Sequence, residues 1–355
     1  MGKSARLFLF SIGLISLLLV PSYAAAQTAT PPAAPAKPPV FIADPIVVTA
    51  TRNESPSDKV GASITVFTAD DIARRGSFMI SDLVRQTPGV AVIQSGGMGT
   101  QTSFFLRGGD SSYTKVLLDG IPLNEPGGTF NFGDLTTSNI SRVEVVRGAQ
   151  SALFGSDAMS GVIQLMTVRG AGKPTFTGAV EGGTYATTRT TGALSGSGGG
   201  WDYSFGAAAT ATDNRVPNNH LSNNTLSWSL GRRMSKVDLR SIGRFEQGKV
   251  GTPGQTAFGR PDMDAFYDHR GSVAGIALTH SITTTWTENF SYAFTRTRQD
   301  SKNLIADAPY TPKFGAASAP FAFSDFTYNS HNVSDRHHAT YQTDARFSPK
   351  SGANL

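Results

Sequence analysis

Alternation constrains this chain more than any other feature. From about Pro174 onward it runs in stretches that switch between apolar and polar at every residue, the period of a β-strand with two unlike faces. Trp201, Tyr203, Phe205, Ala207, Ala209 and Ala211 fall on one face; Asp202, Ser204, Gly206, Ala208, Thr210 and Thr212 fall on the other. Val237, Leu239 and Phe245 likewise oppose Lys236, Asp238, Arg240, Arg244 and Glu246. The pattern repeats with Phe290, Tyr292 and Phe294 against Asn289, Ser291 and Thr295, and with Tyr341, Ala345 and Phe347 against Thr340, Gln342, Asp344 and Arg346. A soluble sandwich alternates too. Charge far along the polar face, aromatics near the ends of the apolar face and an export signal favour a transmembrane barrel. The mean hydropathy of −0.16 excludes a bundle of transmembrane helices but not a barrel, whose apolarity is hidden in the alternation.

The export signal is residues 1–26. Lys3 and Arg6 precede an apolar run from Leu7 to Val20, Pro21 breaks it, and Ala24-Ala25-Ala26 supplies small residues for cleavage before Gln27. This is the pattern of a secretory signal peptide and places the mature chain in a bacterial envelope; an uncleaved anchor helix is the alternative, for which the run is short. Residues 27–43 form a Pro/Ala-rich linker, an extended spacer. Residues 44–50 (Asp44, Pro45, Ile46, Val47, Val48, Thr49, Ala50) are β-prone and isolated. Such a segment suits addition to another protein's sheet edge, or it opens the next domain.

Composition narrows the chemistry. Lys+Arg number 31 against 26 Asp+Glu, without the basic clusters that track a phosphate backbone, so no nucleic-acid partner is expected. The absence of cysteine excludes disulfides, thiolate metal sites and cysteine nucleophiles. The six histidines lack zincin spacing, and no Walker loop, nucleophile elbow or Rossmann fingerprint stands in its required context. No enzyme is predicted.

Residues 51–171 read as an α+β domain. Ile64–Phe67 alternates as a strand, Thr68 is placed to cap a helix with Asp70 and Asp71 in its first turn, and Gly76 should stop that helix after Arg74. A second helix is predicted from Ser81 to Gln86, ahead of Pro88-Gly89. Strands follow at Ser103–Arg107, Lys115–Leu118, Arg142–Arg147 and Val162–Val168, with Asp119-Gly120 as a hairpin turn. Residues 172–355 supply about eight antiparallel transmembrane strands. Side chains nearly fill an eight-stranded barrel, so it cannot enclose such a domain; plugged barrels have about 22 strands. The final Ser-Gly-Ala-Asn-Leu also lacks the aromatic end usual for barrels. The strand region therefore reads as the N-terminal portion of a wider, incomplete barrel.

The order of short motifs is specific. Gln94-Ser95-Gly96-Gly97-Met98-Gly99-Thr100-Gln101-Thr102 precedes Phe104-Phe105-Leu106-Arg107-Gly108; then come Val116-Leu117-Leu118-Asp119-Gly120, Arg142-Val143-Glu144-Val145-Val146-Arg147-Gly148 and Ser151-Ala152-Leu153-Phe154-Gly155-Ser156-Asp157-Ala158. With Asp44–Ala50 ahead of them, these resemble the TonB-dependent outer-membrane receptors, most closely the cobalamin (vitamin B12) branch. Ala149 stands where that family commonly has proline.

The resemblance implies an α+β plug domain inside a β-barrel in the outer membrane, in contact with its lipid, and energy-coupled uptake of a large scarce ligand. Residues 44–50 would be the TonB box, engaging TonB and through it the inner-membrane energising complex. Cobalamin is the ligand implied, with a ferric siderophore as the alternative; a structural or adhesive barrel is the alternative of another class. Gln94, Ser95, Met98, Thr100, Gln101 and Thr102 match the ligand-contacting plug loop, and residues 124–131 match a second. Arg107 and Arg147 match plug arginines that face barrel-wall glutamates. Those glutamates would come from later strands, which leaves both arginines as unpaired buried charges here. No cofactor is implied except a weak calcium candidate at Asp213, within a loop that also holds Asn214, Asn218, Asn219, Asn223 and Asn224.

Overall fold

A computed structural model describes residues 46–47, 55–56, 61–254, 256 and 260–345. Strand β1 (Ile46–Val47) pairs antiparallel with β2 (Ser55–Pro56). Strand β3 (Ser63–Thr68) runs directly into helix α1 (Ala69–Arg75). Thr68 Oγ1 accepts the Asp71 amide at 3.2 Å, and the Asp71 carboxylate accepts the Thr68 amide at 3.0 Å. This reciprocal cap satisfies two amides that the helix cannot. Gly76, at φ 59°, closes the other end in the left-handed conformation that a side chain resists.

The cap yields a prediction. Thr68→Ala should cost about 1 kcal/mol, read from urea titration of detergent-solubilised protein at neutral pH. The backbone and hydroxyl hydrogen bonds from Thr68 hold the Asp71 carboxyl below its usual range. Its contribution is therefore complete above the unfolded carboxylate value near ~4 and is lost as pH falls through the lower folded one. The gap between wild type and variant should narrow in acid.

Helix α2 (Ile80–Val84) starts earlier and ends sooner than the expected Ser81 to Gln86. Met79 is held extended by a bridge to Thr136, and Gln86 and Thr87 close in tight turns onto Leu83 and Val84 before Pro88. Proline disfavours a helical conformation in the residue before it. Strands β4 (Val90–Gln94) and β5 (Thr102–Leu106) form a hairpin. The Arg107-Gly108 motif is a turn rather than the end of β5: φ is 51° and 76°, and the Gly109 amide donates to Leu106 O at 2.9 Å. Asp119-Gly120 turns in the same way, φ 46° and 84°, between β6 (Thr114–Leu118) and β7 (Ile121–Pro122). The Asp119 carboxylate also accepts the Thr167 amide (3.1 Å) and hydroxyl (2.8 Å). Burial raises its pKa against these bonds.

Strand β8 (Ile140–Arg147), helix α3 (Ser151–Phe154) and β9 (Gly161–Thr167) complete the domain. The sheet order is β3-β8-β9-β6-β7, with β6 and β9 parallel. Ile80, Leu83, Phe104, Leu106, Val143, Val145, Ile163 and Leu165 are buried in one core. Phe104 stacks on Phe132 with ring centroids 3.8 Å apart.

The strand region is a second sheet: β10 (Thr175–Gly183), β11 (Thr187–Gly198), β12 (Trp201–Thr212), β13 (Leu221–Arg233), β14 (Val237–Gly251), β15 (Phe266–Ser281) and β16 (Trp286–Asn303). After a small hairpin of β17 (Lys313–Phe314) and β18 (Ala317–Ser318), β19 (Tyr328–Ala345) joins β16. These eight strands are antiparallel neighbours in sequence order, with β10 and β19 as edges. Eight is the number expected. The faces are inverted relative to a soluble protein: Phe205, Leu226, Phe245, Ile276, Phe290 and Tyr341 are exposed, whereas Ser204, Thr210, Thr225, Ser227, Arg244 and Glu246 are buried. Trp228 lies across Gly243 on the outer face, where a Cβ would meet its ring at 2.1 Å. Turns at residues 199–200, 234–236 and 282–285 make one rim; longer connections at 213–220, 252–265 and 304–327 make the other. Short turns at one rim and long loops at the other are the pattern of outer-membrane barrels.

Candidate functional site

The Gly-rich loop between β4 and β5 is folded by its own polar atoms. Gln94 Nε2 donates to Gly97 O at 2.7 Å, Thr100 Oγ1 to the same oxygen at 2.8 Å, and Thr102 Oγ1 to Thr100 O at 2.9 Å. The loop is then pinned to the long-loop rim of the strand wall. Asn219 Oδ1 accepts the Gly97 amide and Asn214 Oδ1 accepts the Met98 amide, each at 3.0 Å, while Asn214 Nδ2 donates to Met98 O at 3.0 Å. Gly99 is required by contact as well as by its φ of +88°: a Cβ there would lie 2.4 Å from Leu221 Cδ1.

This placement sorts the six loop residues. Thr100 and Thr102 are buried, Met98 packs beside Phe78, Met79, Leu221 and Val250, and Gln94 closes the loop. Ser95 and Gln101 are exposed. In the second loop, Asn124 is taken up by the Val116 amide and by Thr114 O and Gly128 O, and Asn131 by the amides of Thr102 and Gly133.

The asparagines near Asp213 have a different task from the expected one. Asn214 and Asn219 clamp the Gly-rich loop, Asn218 donates to Ala265 O, and Asn223 donates to Asp134 O at 2.7 Å. Asp213 is exposed, and the described residues contain no group of three His, Asp or Glu side chains arranged to hold a metal ion. Residues 213–218 and His220 instead line a recess of about 430 Å³.

Residues 134–138 carry a second set of bonds between the α+β domain and the wall, and sequence reasoning did not single them out. Arg244 on β14 donates to Ser138 O, Thr136 O and Thr136 Oγ1, each at 2.9 Å, and to Glu246 at 2.6 Å. Asp134 meets His269 Nδ1 at 2.6 Å. Thr136 and Thr225 hydroxyls lie 3.2 Å apart, and Ser204 donates to Val168 O. Apolar packing reinforces the seam: Ile242, Val273 and Ala293 of the wall join the domain's own core. The signal available in sequence was charge at Arg244 and Glu246 on the face destined to be inward.

Arg107 and Arg147 come together rather than reaching the wall. A Cβ on Gly148 would lie 3.1 Å from Arg107 Nη1, so the first guanidinium covers the second Arg-Gly motif. Arg147 donates to Pro88 O at 2.5 Å and to Thr65 Oγ1 at 3.2 Å. Burial, and then the neighbouring Arg107, lower its pKa. The expectation of two unpaired buried charges is corrected, because Arg107 is exposed and Arg147 is half-buried and hydrogen-bonded within its own domain. Of residues 44–50, Ile46–Val47 forms β1; Asp44, Pro45, Val48, Thr49 and Ala50 lie outside the described residues, as do 1–43.

A domain held inside a strand wall by its own loops, with its motifs in this order, matches one known family over residues 56–162, the TonB-dependent Receptor Plug Domain. These residues are a TonB-dependent receptor plug. The plug is a receptor domain and not an enzyme.

Solved structures share the fold of plug and wall together. The ferric preacinetobactin receptor BauA from Acinetobacter baumannii is 15% identical with a TM-score of 0.70, over 86% of this chain and 47% of that one. The ferripyoverdine receptor of the outer membrane of Pseudomonas aeruginosa is 16% identical with a TM-score of 0.70, over 86% and 42%. The ferric-catecholate import receptor Fiu from E. coli K12 is 17% identical with a TM-score of 0.63, over 83% and 48%. This chain thus spans less than half the length of these receptors, and the fold of its eight-stranded sheet matches part of their barrels.

Proposed function

We propose that this protein takes up a ferric siderophore across the bacterial outer membrane, with work delivered through TonB. Its signal peptide is removed before Gln27, and residues 44–50 are the segment that TonB engages, carried on the 27–43 spacer. The observation that carries this reading is the exposed tip of the Gly-rich loop, Ser95 and Gln101, fixed by Asn214 and Asn219 at the long-loop rim of a lipid-facing wall. A ligand arriving from outside meets that tip first, and a pull from the other side acts on the domain that presents it. The iron-chelate receptors that share the fold support a ferric ligand over cobalamin, the ligand of the branch its motifs resemble. No resident cofactor is required, since the chemistry is binding and displacement.

The test measures binding of labelled ferric siderophores and of cyanocobalamin to outer membranes carrying the protein, then uptake by whole cells. A variant lacking residues 44–50 should bind the ferric chelate as wild type does while its uptake falls to background. Binding of cyanocobalamin alone would move the ligand to the corrinoid class. Uptake unchanged by the deletion, or binding of neither ligand, would leave a structural or adhesive barrel.

A further inference from the structure

The three long connections at the rim are tied to one another, mostly by side chains that bond backbone groups. In the first, 213–220, Asn214 and Asn218 turn the chain at φ 54° and 53°, a conformation that asparagine tolerates better than most residues. Besides clamping the Gly-rich loop, this connection grips the second, 252–265. Asn219 Nδ2 donates to Gly251 O at 2.9 Å and Asn218 Nδ2 to Ala265 O at 2.8 Å. Gly251 leaves the room for this approach, since a Cβ there would lie 2.2 Å from Asn218 O. The second connection is shaped by Asp262, whose Oδ1 accepts the amides of Asp264 at 3.0 Å and Ala265 at 2.8 Å, the turn that aspartate forms with backbone just ahead of it. Asp264 in turn reaches the third, 304–327: its Oδ2 accepts the amides of Leu304 at 3.3 Å and Ile305 at 3.1 Å. The Arg260 guanidinium, 4.9 Å from the Tyr310 ring centroid, adds a looser contact between the same two connections. Asp325 closes the base of the third, accepting Asn303 Nδ2 and the Asp307 amide, each at 2.9 Å.

Bonds of this kind fix the path of the main chain rather than a rotamer. A shift of residues 304–305 is carried through Asp264 to 262–265, through Ala265 and Gly251 to Asn218 and Asn219, and through Asn219 and Asn214 to Gly97 and Met98. There is no slack at the inner end, where a Cβ on Gly97 would lie 2.4 Å from Asn219 Oδ1. Ser95 and Gln101 flank that clamp, with the Ser95 amide donating to Gln101 O at 3.0 Å, so the position of the clamp is the position of the tip. At the outer end Leu304 and Ile305 are 59% and 68% exposed, an apolar pair open to whatever approaches the rim. A carboxylate bonds backbone N–H groups more strongly than a neutral acceptor does, which makes Asp264 the firm link between the second and third connections.

We propose that Asp264 is a positioning residue for ligand capture: by strapping residues 304–305 to the connections that Asn218 and Asn219 join to the plug, it sets where Ser95 and Gln101 stand. This rests on the uptake reading above and deepens it. With the strap intact, the tip is ordered before the ligand arrives, and the ordering cost is not charged against binding. Without it, each ligand has to order the tip itself, and affinity falls.

The test compares wild type with Asp264→Ala, Asp264→Asn, Asn218→Gly and a control, Asp307→Ala, whose carboxylate makes none of these bonds. Hydrogen–deuterium exchange is followed on the solubilised full chain without ligand, and affinity for labelled ferric siderophores is measured on the same preparations. In Asp264→Ala the amides of Gly97 and Met98 should exchange about 10-fold faster, together with those of Leu304 and Ile305, while β5 and β9 keep wild-type rates. Ferric-siderophore affinity should fall about 10-fold with the number of sites unchanged. Asp264→Asn keeps an acceptor oxygen in the same place and should restore most of the protection and affinity; Asp307→Ala should match wild type in both. Wild-type exchange at Gly97 and Met98 in Asp264→Ala overturns the proposal, as does an equal rise throughout the plug, which marks general loosening. If Asp264→Ala does not fold, Asn218→Gly, which breaks the next link while suiting that residue's φ, is judged by the same criteria. Equal ferric-siderophore affinity of Asp264→Ala and wild type sinks this inference alone, whereas no binding by wild type sinks the uptake reading beneath it.

Discussion

Replacing Arg244 with alanine is expected to destabilise the protein by about 3–5 kcal/mol. Arg244 is 4% exposed and is the common donor to Thr136, Ser138 and Glu246. Its removal leaves the Glu246 carboxylate buried beside Asp134 without its cation, and strips donors from carbonyls at the plug–wall seam. Most of the cost is the stranded charge rather than the net worth of the pair, so Arg244→Met combined with Glu246→Leu should recover much of the loss. Denaturant titration of detergent-solubilised protein checks both variants. A loss for R244A below about 1 kcal/mol, the range of an exposed ion pair, would show that the seam does not depend on this residue.

Phe104→Ala is expected to cost about 3–5 kcal/mol by another mechanism. Phe104 is 1% exposed, stacks on Phe132 and sits between the helices and the main sheet of the plug. Alanine leaves a cavity that the surrounding β-branched side chains cannot close, because the strands that carry them are fixed by the ladder. Phe104→Leu fills most of that volume and should cost less than half as much. The same denaturant titration, with protease sensitivity of the plug as a second readout, distinguishes the two. Equal losses for both variants would mean that the aromatic stack rather than volume holds the site.

Much of the plug was legible because its signals are local. Thr68, Asp71 and Gly76 frame α1 within nine consecutive residues, and Asp119-Gly120 turns its hairpin by the left-handed conformation that such a pair tolerates. Helix α2 was misjudged at both ends because its start is set by the bridge from Met79 to Thr136, far along the chain. The wall was legible for a related reason: a side chain's face in a strand depends on parity alone, so Phe205 and Arg244 could be assigned before any partner was known.

The functional site was less legible, since its bonds join distant segments. Asn214 and Asn219 resemble an oxygen-rich cation loop when read locally, yet their amides bind the backbone of Gly97 and Met98 more than a hundred residues earlier. Met98, Thr100 and Thr102 resemble a ligand surface in a Gly-rich loop, and are consumed in shaping it. Arg107 and Arg147, separated in sequence, meet because β5 and β8 end at the same place.

The sequence by itself determined the order of domains, the eight strands and their faces, and the turn at Asp119-Gly120, because capping, turn chemistry and strand parity act over a few residues. The tertiary structure alone decided which polar groups are spent on the seam between plug and wall, and that Ser95 and Gln101 are left at the tip. Those outcomes depend on strand register and on contacts across a hundred residues or more, where a hydrogen bond is fixed by geometry that no local pattern encodes.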